Sequence, residues 1–405
     1  MSIWSPPDAL DRRAGTVLAA LAGLAVALGY ASTLLTQTIT YAAKEFHAGT
    51  AGQGVALASV RTDILLALVM VRAADRRGRR SVIIGAAAAG CVLTSLGAAS
   101  PNLAWLAASQ ALGRSFITAA TIVAGVLVAE SVPKGARAWS AGVIAMATAV
   151  GAGICVVSLP VTGVGVQGWR LLYAACLVWL LVVWIVARHL PESERFEHRV
   201  HGTDRTWGPR LKLLASAAFL FQMFITPAAQ FQNEYLRHHR GFSASRIALF
   251  TVITAVPGAI GIVLGGRLAD VRGRRGVAIV AVGGVTLAGV ASYSVRGWPM
   301  WVSATTAAIT GAAVIPALSV YGPELFSTDH RSAANGWIAA AGRVGSVLGL
   351  LAVGGITQLT GTFSPGFAVV AIGPIALMVL VYRSFPETAR RSLEELNPAD
   401  AGGLS

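Results

Sequence analysis

The amino-acid sequence predicts an all-α membrane protein, with twelve transmembrane helices in two pseudo-symmetric six-helix bundles. Three observations lead there. Of 405 residues, 55% are hydrophobic and only 12% charged, about half the charged share of a soluble domain, which argues against a soluble enzyme or binding module. Apolar runs long enough to cross a bilayer, about 20 residues each, recur along the whole chain. Sequence landmarks also repeat at one fixed offset near the half-length of the chain.

Taken in order, the predicted spans cover 14–42, 51–71, 81–99, 102–129, 137–160, 168–189, 212–236, 244–267, 276–295, 299–324, 332–358 and 363–383. The first is too long for the apolar core of a cleavable signal and is expected to be retained. The longest polar interval lies at the midpoint. The expected division is therefore an N-terminal bundle over 1–190, a linker over 191–211, and a C-terminal bundle with a short tail over 212–405. Cys91, Cys155 and Cys176 fall inside apolar runs without metal-ligand spacing, so they read as buried packing residues. No metal and no cofactor is expected.

Lys and Arg total 32 against 18 Asp and Glu, a formal net charge of +14. With both termini cytoplasmic, 23 Lys/Arg fall on the cytoplasmic side, 6 on the outer side and 3 inside spans. This asymmetry satisfies the positive-inside rule. The basicity is then topological, the partner it addresses is the lipid bilayer, and no nucleic acid is needed to explain it.

The repeat is specific. VRAADRRGRR (71–80) returns as GRLADVRGRR (266–275), with Asp75 and Asp270 195 residues apart. PES (191–193) and PET (386–388) share that offset. Glu130, Arg137 and Gly142 recur 194 residues later as Glu324, Arg331 and Gly336. Such constancy indicates duplication of a six-helix unit, and a parallel repeat of this kind places a binding site between the halves near mid-membrane.

These residues carry a resemblance. The loop Asp75-Arg-Arg-Gly-Arg-Arg80 resembles the signature G-x-x-x-D-R-x-G-R-R of the major facilitator superfamily, with Val71 in place of the leading Gly; its second copy keeps Gly266 but has Val271 where a basic residue is usual. YGPELFSTDHRSAANGW (321–337), GRVGSVLG (342–349), LPESERF (190–196) and FPETARRSLEEL (385–396) are similar to the branch of sugar porters, organic-acid:proton symporters and synaptic-vesicle-2-like carriers. The resemblance covers nearly the whole chain. It implies a monomeric, multi-pass carrier of the plasma (inner) membrane that works by alternating access, and not an enzyme. Two departures bear on substrate. Leu28-Gly29-Tyr30-Ala31 lacks the acids of the acid-symporter motif in span 1, and span 5 (149–160) lacks the Gly-Pro motif of drug antiporters.

The motif loop has a physical reading. Asp75 can pair with the arginines beside it and accept from helix N-termini, while Gly78 allows a tight turn. A clamp of Asp75, Arg76, Gly78, Arg79 and Arg80, with its repeat Gly266, Asp270, Gly273, Arg274 and Arg275, would hold cytoplasmic helix ends together. Glu130 with Arg137, and Glu324 with Arg331, would join this gate.

Polar residues three or four apart share a helix face. Tyr30, Thr33, Gln37 and Tyr41 do so in span 1; Gln110, Arg114, Thr118 and Thr121 in span 4; Gln222, Thr226, Gln230 and Asn233 in span 7; Ser303, Thr306, Thr310 and Tyr321 in span 10. Such faces avoid lipid, and the family lines its path with these four spans. Substrate contact is therefore expected from Tyr30, Gln37, Arg61, Gln110, Arg114, Gln222, Gln230, Asn233 and Thr310. Four charges lie inside spans: Arg61, Asp63, Arg114 and Arg343. Each costs at least about 2.5 kcal/mol at mid-bilayer unless paired or wet. Asp63 is the only acid among them and is expected to take the coupling proton, exchanging between Arg114 and Arg343. Three arginines against one acid favour an organic anion. The reading is proton-coupled symport of a small organic solute, an organic anion; the alternative is a proton-driven exporter of a drug-like metabolite.

Overall fold

The computed structural model describes residues 6–48, 56–57, 59–193 and 207–397. Most of the expected linker, the start of span 2 and the end of the C-terminal tail lie outside the described residues. The twelve helical segments are α1 (Arg12–Glu45), α2 (Asp63–Arg77), α3 (Arg79–Ser95), α4 (Leu103–Ser131), α5 (Arg137–Val157), α6 (Gly168–His189), α7 (Trp207–Gln230), α8 (Ala244–Ala255 and Gly258–Arg272), α9 (Arg274–Ser294), α10 (Trp298–Ser319), α11 (Arg331–Thr360) and α12 (Phe363–Ser384). Eleven of these regions are long and apolar enough to span a membrane by their described residues; α2 is not among them.

Local chemistry sets the helix ends. The Asp11 side chain accepts from the Ala14 N–H at 2.6 Å and Asn102 from Trp105 at 2.8 Å, each satisfying an amide the helix leaves open. Span 2 runs to Arg77 rather than ending at 71, because Arg72, Arg76 and Arg77 reach solvent while Val71, Ala74 and Asp75 stay buried. It stops at Gly78, whose φ of 100° lies where only glycine is unstrained; Gly273, at 103°, repeats this between α8 and α9. α7 contains Pro227 and breaks after Gln230 into a short turn and a π-helical segment, Tyr235–His239.

Each half packs as a bundle, and the halves are built alike. α5 lies against α1 so closely that a Cβ on Gly151 would collide with the Val26 carbonyl; α11 lies against α7 in the same way, where a Cβ on the corresponding Gly345 would collide with the Phe219 carbonyl. Small residues permit such backbone contact in membrane bundles. Between the halves, α2 meets α11, α5 meets α8 and α10, and α4 meets α11. Both described termini lie at the end that carries the two motif loops, here the motif end; the opposite one is the far end.

Candidate functional site

Asp63 opens α2 and is fully buried, while the arginines around it are about a third exposed. Its Oδ2 accepts two hydrogen bonds and stands in one further ion pair. Thr118 of α4 donates at 2.7 Å, Arg343 of α11 at 3.0 Å, and Arg114 Nε of α4 lies at 3.6 Å. A single carboxylate oxygen thus joins the two halves at the centre of the molecule. Its Oδ1 is buried with no hydrogen-bond partner among the described residues. Arg114 is held on its other side by the Ser32 carbonyl of α1 at 2.7 Å. Arg61 sits half-buried in the turn before α2, near enough to feel Asp63 and Arg343, and forms no ion pair with its near neighbour Asp63.

Beside this cluster lies a cavity of about 460 Å³ between α7, α10 and α11, with Arg343, Gln222 and Asn335 in its wall. A second, of about 270 Å³, lies between the halves and includes Thr121 and Thr148. Ser319, Ile315 and Asn335 line both, so the two cavities adjoin below the charges.

The structure brings together only part of the expected substrate set. Arg61, Arg114 and Gln222 gather at the centre. Gln37 is half-buried on α1. Tyr30 does not face the path: it is 3% exposed and donates to the Leu172 carbonyl of α6 at 2.9 Å. Gln110 is likewise turned inward, donating to the Thr94 carbonyl of α3 at 3.0 Å. Thr310 bonds the Thr306 carbonyl of its own helix at 2.7 Å and packs on Gly284 of α9. Gln230 and Asn233 are exposed at the far end of α7, beyond the Pro227 break. A stripe shows which residues share a face; it does not show which neighbour that face meets.

At the motif end the expected gate residues interlock, with their partners crossed. Glu130 pairs with Arg331 at 2.6 Å, not with Arg137, and Arg137 pairs with Glu324 at 3.0 Å. Each half supplies a carboxylate to the other half's arginine. Asp75 accepts from the Ser332 and Ala333 amides at 3.1 and 2.8 Å, capping α11. Asp270 accepts from Ala138 and Trp139 at 3.2 and 2.9 Å, capping α5. Arg79 reaches Asp75 and Glu130, each at 3.4 Å; Arg274 reaches Asp270 at 3.2 Å and also bonds Glu324. Gly266 lets α8 approach within 2.9 Å of the Ala138 carbonyl as a Cβ would see it. In the first copy Val71 occupies that place, and Gly336 of α11 gives the room instead. Arg76 is exposed.

Sequence reasoning missed the use of PES and PET. Glu192 accepts from the Arg79 amide at 2.9 Å, and Glu387 from the Arg274 amide at 2.9 Å, each capping the helix after a motif glycine. Arg80 also donates to the Ala187 carbonyl, and the Arg275 amide to Glu387. The constant 195-residue offset was the signal for a shared role. Thr118 was placed on the polar face of span 4, but its bond to Asp63 was not foreseen. Among the described residues, no group of three or more His, Cys, Asp or Glu is placed to hold a metal.

The fold is similar to that of the proton:xylose symporter XylE, at TM-score 0.82 and 17% identity over 95% of this chain and 98% of that one. It is also similar to the human organic anion transporter MFSD10 (0.75, 15%, 93% and 100%) and to the E. coli fucose:proton symporter FucP (0.74, 14%, 93% and 100%). No curated protein sequence matches the chain. The sequence profile described as Major Facilitator Superfamily matches residues 19–233 and 213–401. Profile and fold agree across both halves: the chain belongs to the major facilitator superfamily, whose members are secondary transporters rather than enzymes.

Proposed function

We propose that this transporter carries a small organic anion together with a proton, and that Asp63 is the proton site. The observation that carries the reading is the shared Oδ2 of Asp63, ion-paired with arginines from the two halves while Oδ1 has no partner among the described residues. An ionised Asp63 occupies Arg114 and Arg343. Protonation at Oδ1 removes that charge and frees both guanidinium groups, which favour a carboxylate in bidentate geometry. Anion and proton then bind as a pair, because each makes room for the other. Arg61 adds positive charge and Gln222 a hydrogen-bonding group at the cavity wall. That MFSD10 is an organic anion transporter, and XylE and FucP are proton symporters, supports both halves of the proposal.

The basic motif end is assigned to the cytoplasm of a plasma (inner) membrane by the positive-inside rule. Its closed ion-pair network then makes the described conformation outward-facing, and the carrier acts as a monomer. With one acid at the centre, one proton accompanies one monoanion and the cycle is electroneutral.

The test is uptake of a panel of small carboxylates into proteoliposomes under an imposed proton gradient. The expected result is accumulation driven by the gradient and unaffected by membrane potential. Normal gradient-driven accumulation by Asp63→Asn rejects Asp63 as the proton site. Intact anion transport by both Arg114→Ala and Arg61→Ala rejects the anion assignment.

A further inference from the structure

We infer that the far end of the C-terminal half holds a second binding site, separate from the central charges, for an anionic amphiphile: a phosphate or carboxylate head on an acyl chain. The far end carries only 6 of the chain's 32 Lys and Arg. Three of those six, Arg240, Arg246 and Arg296, line one cavity of about 300 Å³. The N-terminal half uses its far-end arginine differently. Arg170 is bound to Glu45 at 2.8 Å, whereas none of the three has a carboxylate partner among the described residues. Basic residues are the ones that topology should exclude from this end, so their concentration around one cavity calls for a counter-anion.

The cavity is also preorganised. Arg240 donates to the Tyr235 hydroxyl and, at 2.8 Å, to the Val295 carbonyl, which fixes its guanidinium. Arg246 lies over the Phe242 ring at 4.2 Å. Trp301 forms the opposite wall, and Trp298 beside it is 75% exposed, a placement that suits the membrane–water interface.

The chemistry changes one layer deeper. Met300 is shared with a second cavity of about 210 Å³, whose wall is mostly apolar and includes Phe224, Phe250 and Tyr293. Tyr235 belongs to that chamber while its hydroxyl holds Arg240 of the first. A charged mouth over an apolar chamber matches a molecule with an acidic head and a hydrocarbon tail. A fully soluble anion leaves the chamber empty, and a neutral lipid leaves the arginines unneutralised. The site shares no residue with the central cluster and does not depend on the transport reading.

The experiment measures ligand-induced thermal stabilisation and native mass spectrometry of the full chain in neutral detergent. Phosphatidylglycerol, phosphatidylcholine with the same chains, oleate and inorganic phosphate are compared. Phosphatidylglycerol or oleate is expected to bind about tenfold or more tightly than phosphatidylcholine, and which of the two binds identifies the source of the head. The paired exposed changes Arg246→Gln and Arg296→Gln should remove the preference while leaving proteoliposome transport at the wild-type level. Ala304→Phe, which fills the chamber, should weaken the amphiphiles. Equal binding of phosphatidylglycerol and phosphatidylcholine overturns the proposal. So does a preference that survives in the paired variant, which places the lipid at the basic motif end, or stabilisation by inorganic phosphate equal to that by the amphiphiles.

Discussion

The two charged regions of this transporter use the same groups in opposite balance. At the motif end, Asp75, Glu130, Asp270 and Glu324 face Arg79, Arg137, Arg274 and Arg331, and none of the eight is more than 6% exposed. At the centre, Asp63 alone faces Arg114 and Arg343, with Arg61 nearby, and the paired arginines are about a third exposed. The first region is neutral and buried; the second is partly exposed and positively charged. A neutral, buried network holds one conformation and opens as a unit. An under-neutralised, part-exposed one has charge to spare for the anion proposed above.

The largest effect that would sharpen this contrast is at Asp63. Asp63→Asn should reduce gradient-driven accumulation of the anion about 100-fold, while anion exchange with no gradient stays within a few-fold of wild type, since the arginines remain. Parallel flux assays on one proteoliposome preparation read both values. Loss of exchange as well would make Asp63 a structural brace, like the carboxylates of the motif end.

Glu324→Gln should come next. It takes the shared carboxylate away from Arg137 and Arg274, and breaking a buried pair on one side costs about 3–5 kcal/mol. The cost falls on the closed motif end. A cysteine at Ser319, which lines the cavities between the central charges and the network, should then react with a polar maleimide from the motif end roughly ten times faster or more. The native Cys91, Cys155 and Cys176 are buried and give little background. An unchanged rate would show that the network is not the barrier.

Asp75→Asn and Asp270→Asn should have smaller and similar effects, about 1–2 kcal/mol each, because each caps a helix of the opposite half with two amide bonds. Thermal unfolding of the two variants compares the copies directly. A large difference between them would mean that the Val71 and Gly266 packing solutions are not equivalent. The smallest change expected is at Tyr30. Tyr30→Phe removes one bond to the Leu172 carbonyl, about 1 kcal/mol of stability, and should leave the transport KM unchanged. A raised KM would return Tyr30 to the substrate path.

The span pattern, the duplication and the four intramembrane charges were legible in the sequence because each rests on periodicity or on a constant offset. The crossing of the Glu–Arg pairs was not. Glu130 and Arg137 stand seven residues apart, but the chain turns at Pro133 between them, and Arg137 begins α5 facing the other half. Tyr30 and Gln110 were misplaced for a related reason. A polar face in a bundle can be satisfied by a neighbouring backbone carbonyl as readily as by water, and the sequence of one helix does not name its neighbour. Pairing Asp63 with Arg114 and Arg343 was reached by a different route, since a lone buried acid has few possible partners.

The crossed pairs also bear on the symmetry of the chain. In an isologous contact, a group on one copy meets a second group on its twin, and the reverse contact follows automatically. Glu130 with Arg331 and Glu324 with Arg137, or Asp75 on α11 and Asp270 on α5, follow that rule. They are the contacts that a two-fold axis between two like six-helix units generates. The central charges break it: at the repeat offset, Asp63 corresponds to Gly258, Arg343 to Ala149 and Arg114 to Ala308. Symmetry survives in the motif-end network, where each half grips the other in the same way, and is lost at the centre, where the proposed site needs only one acid.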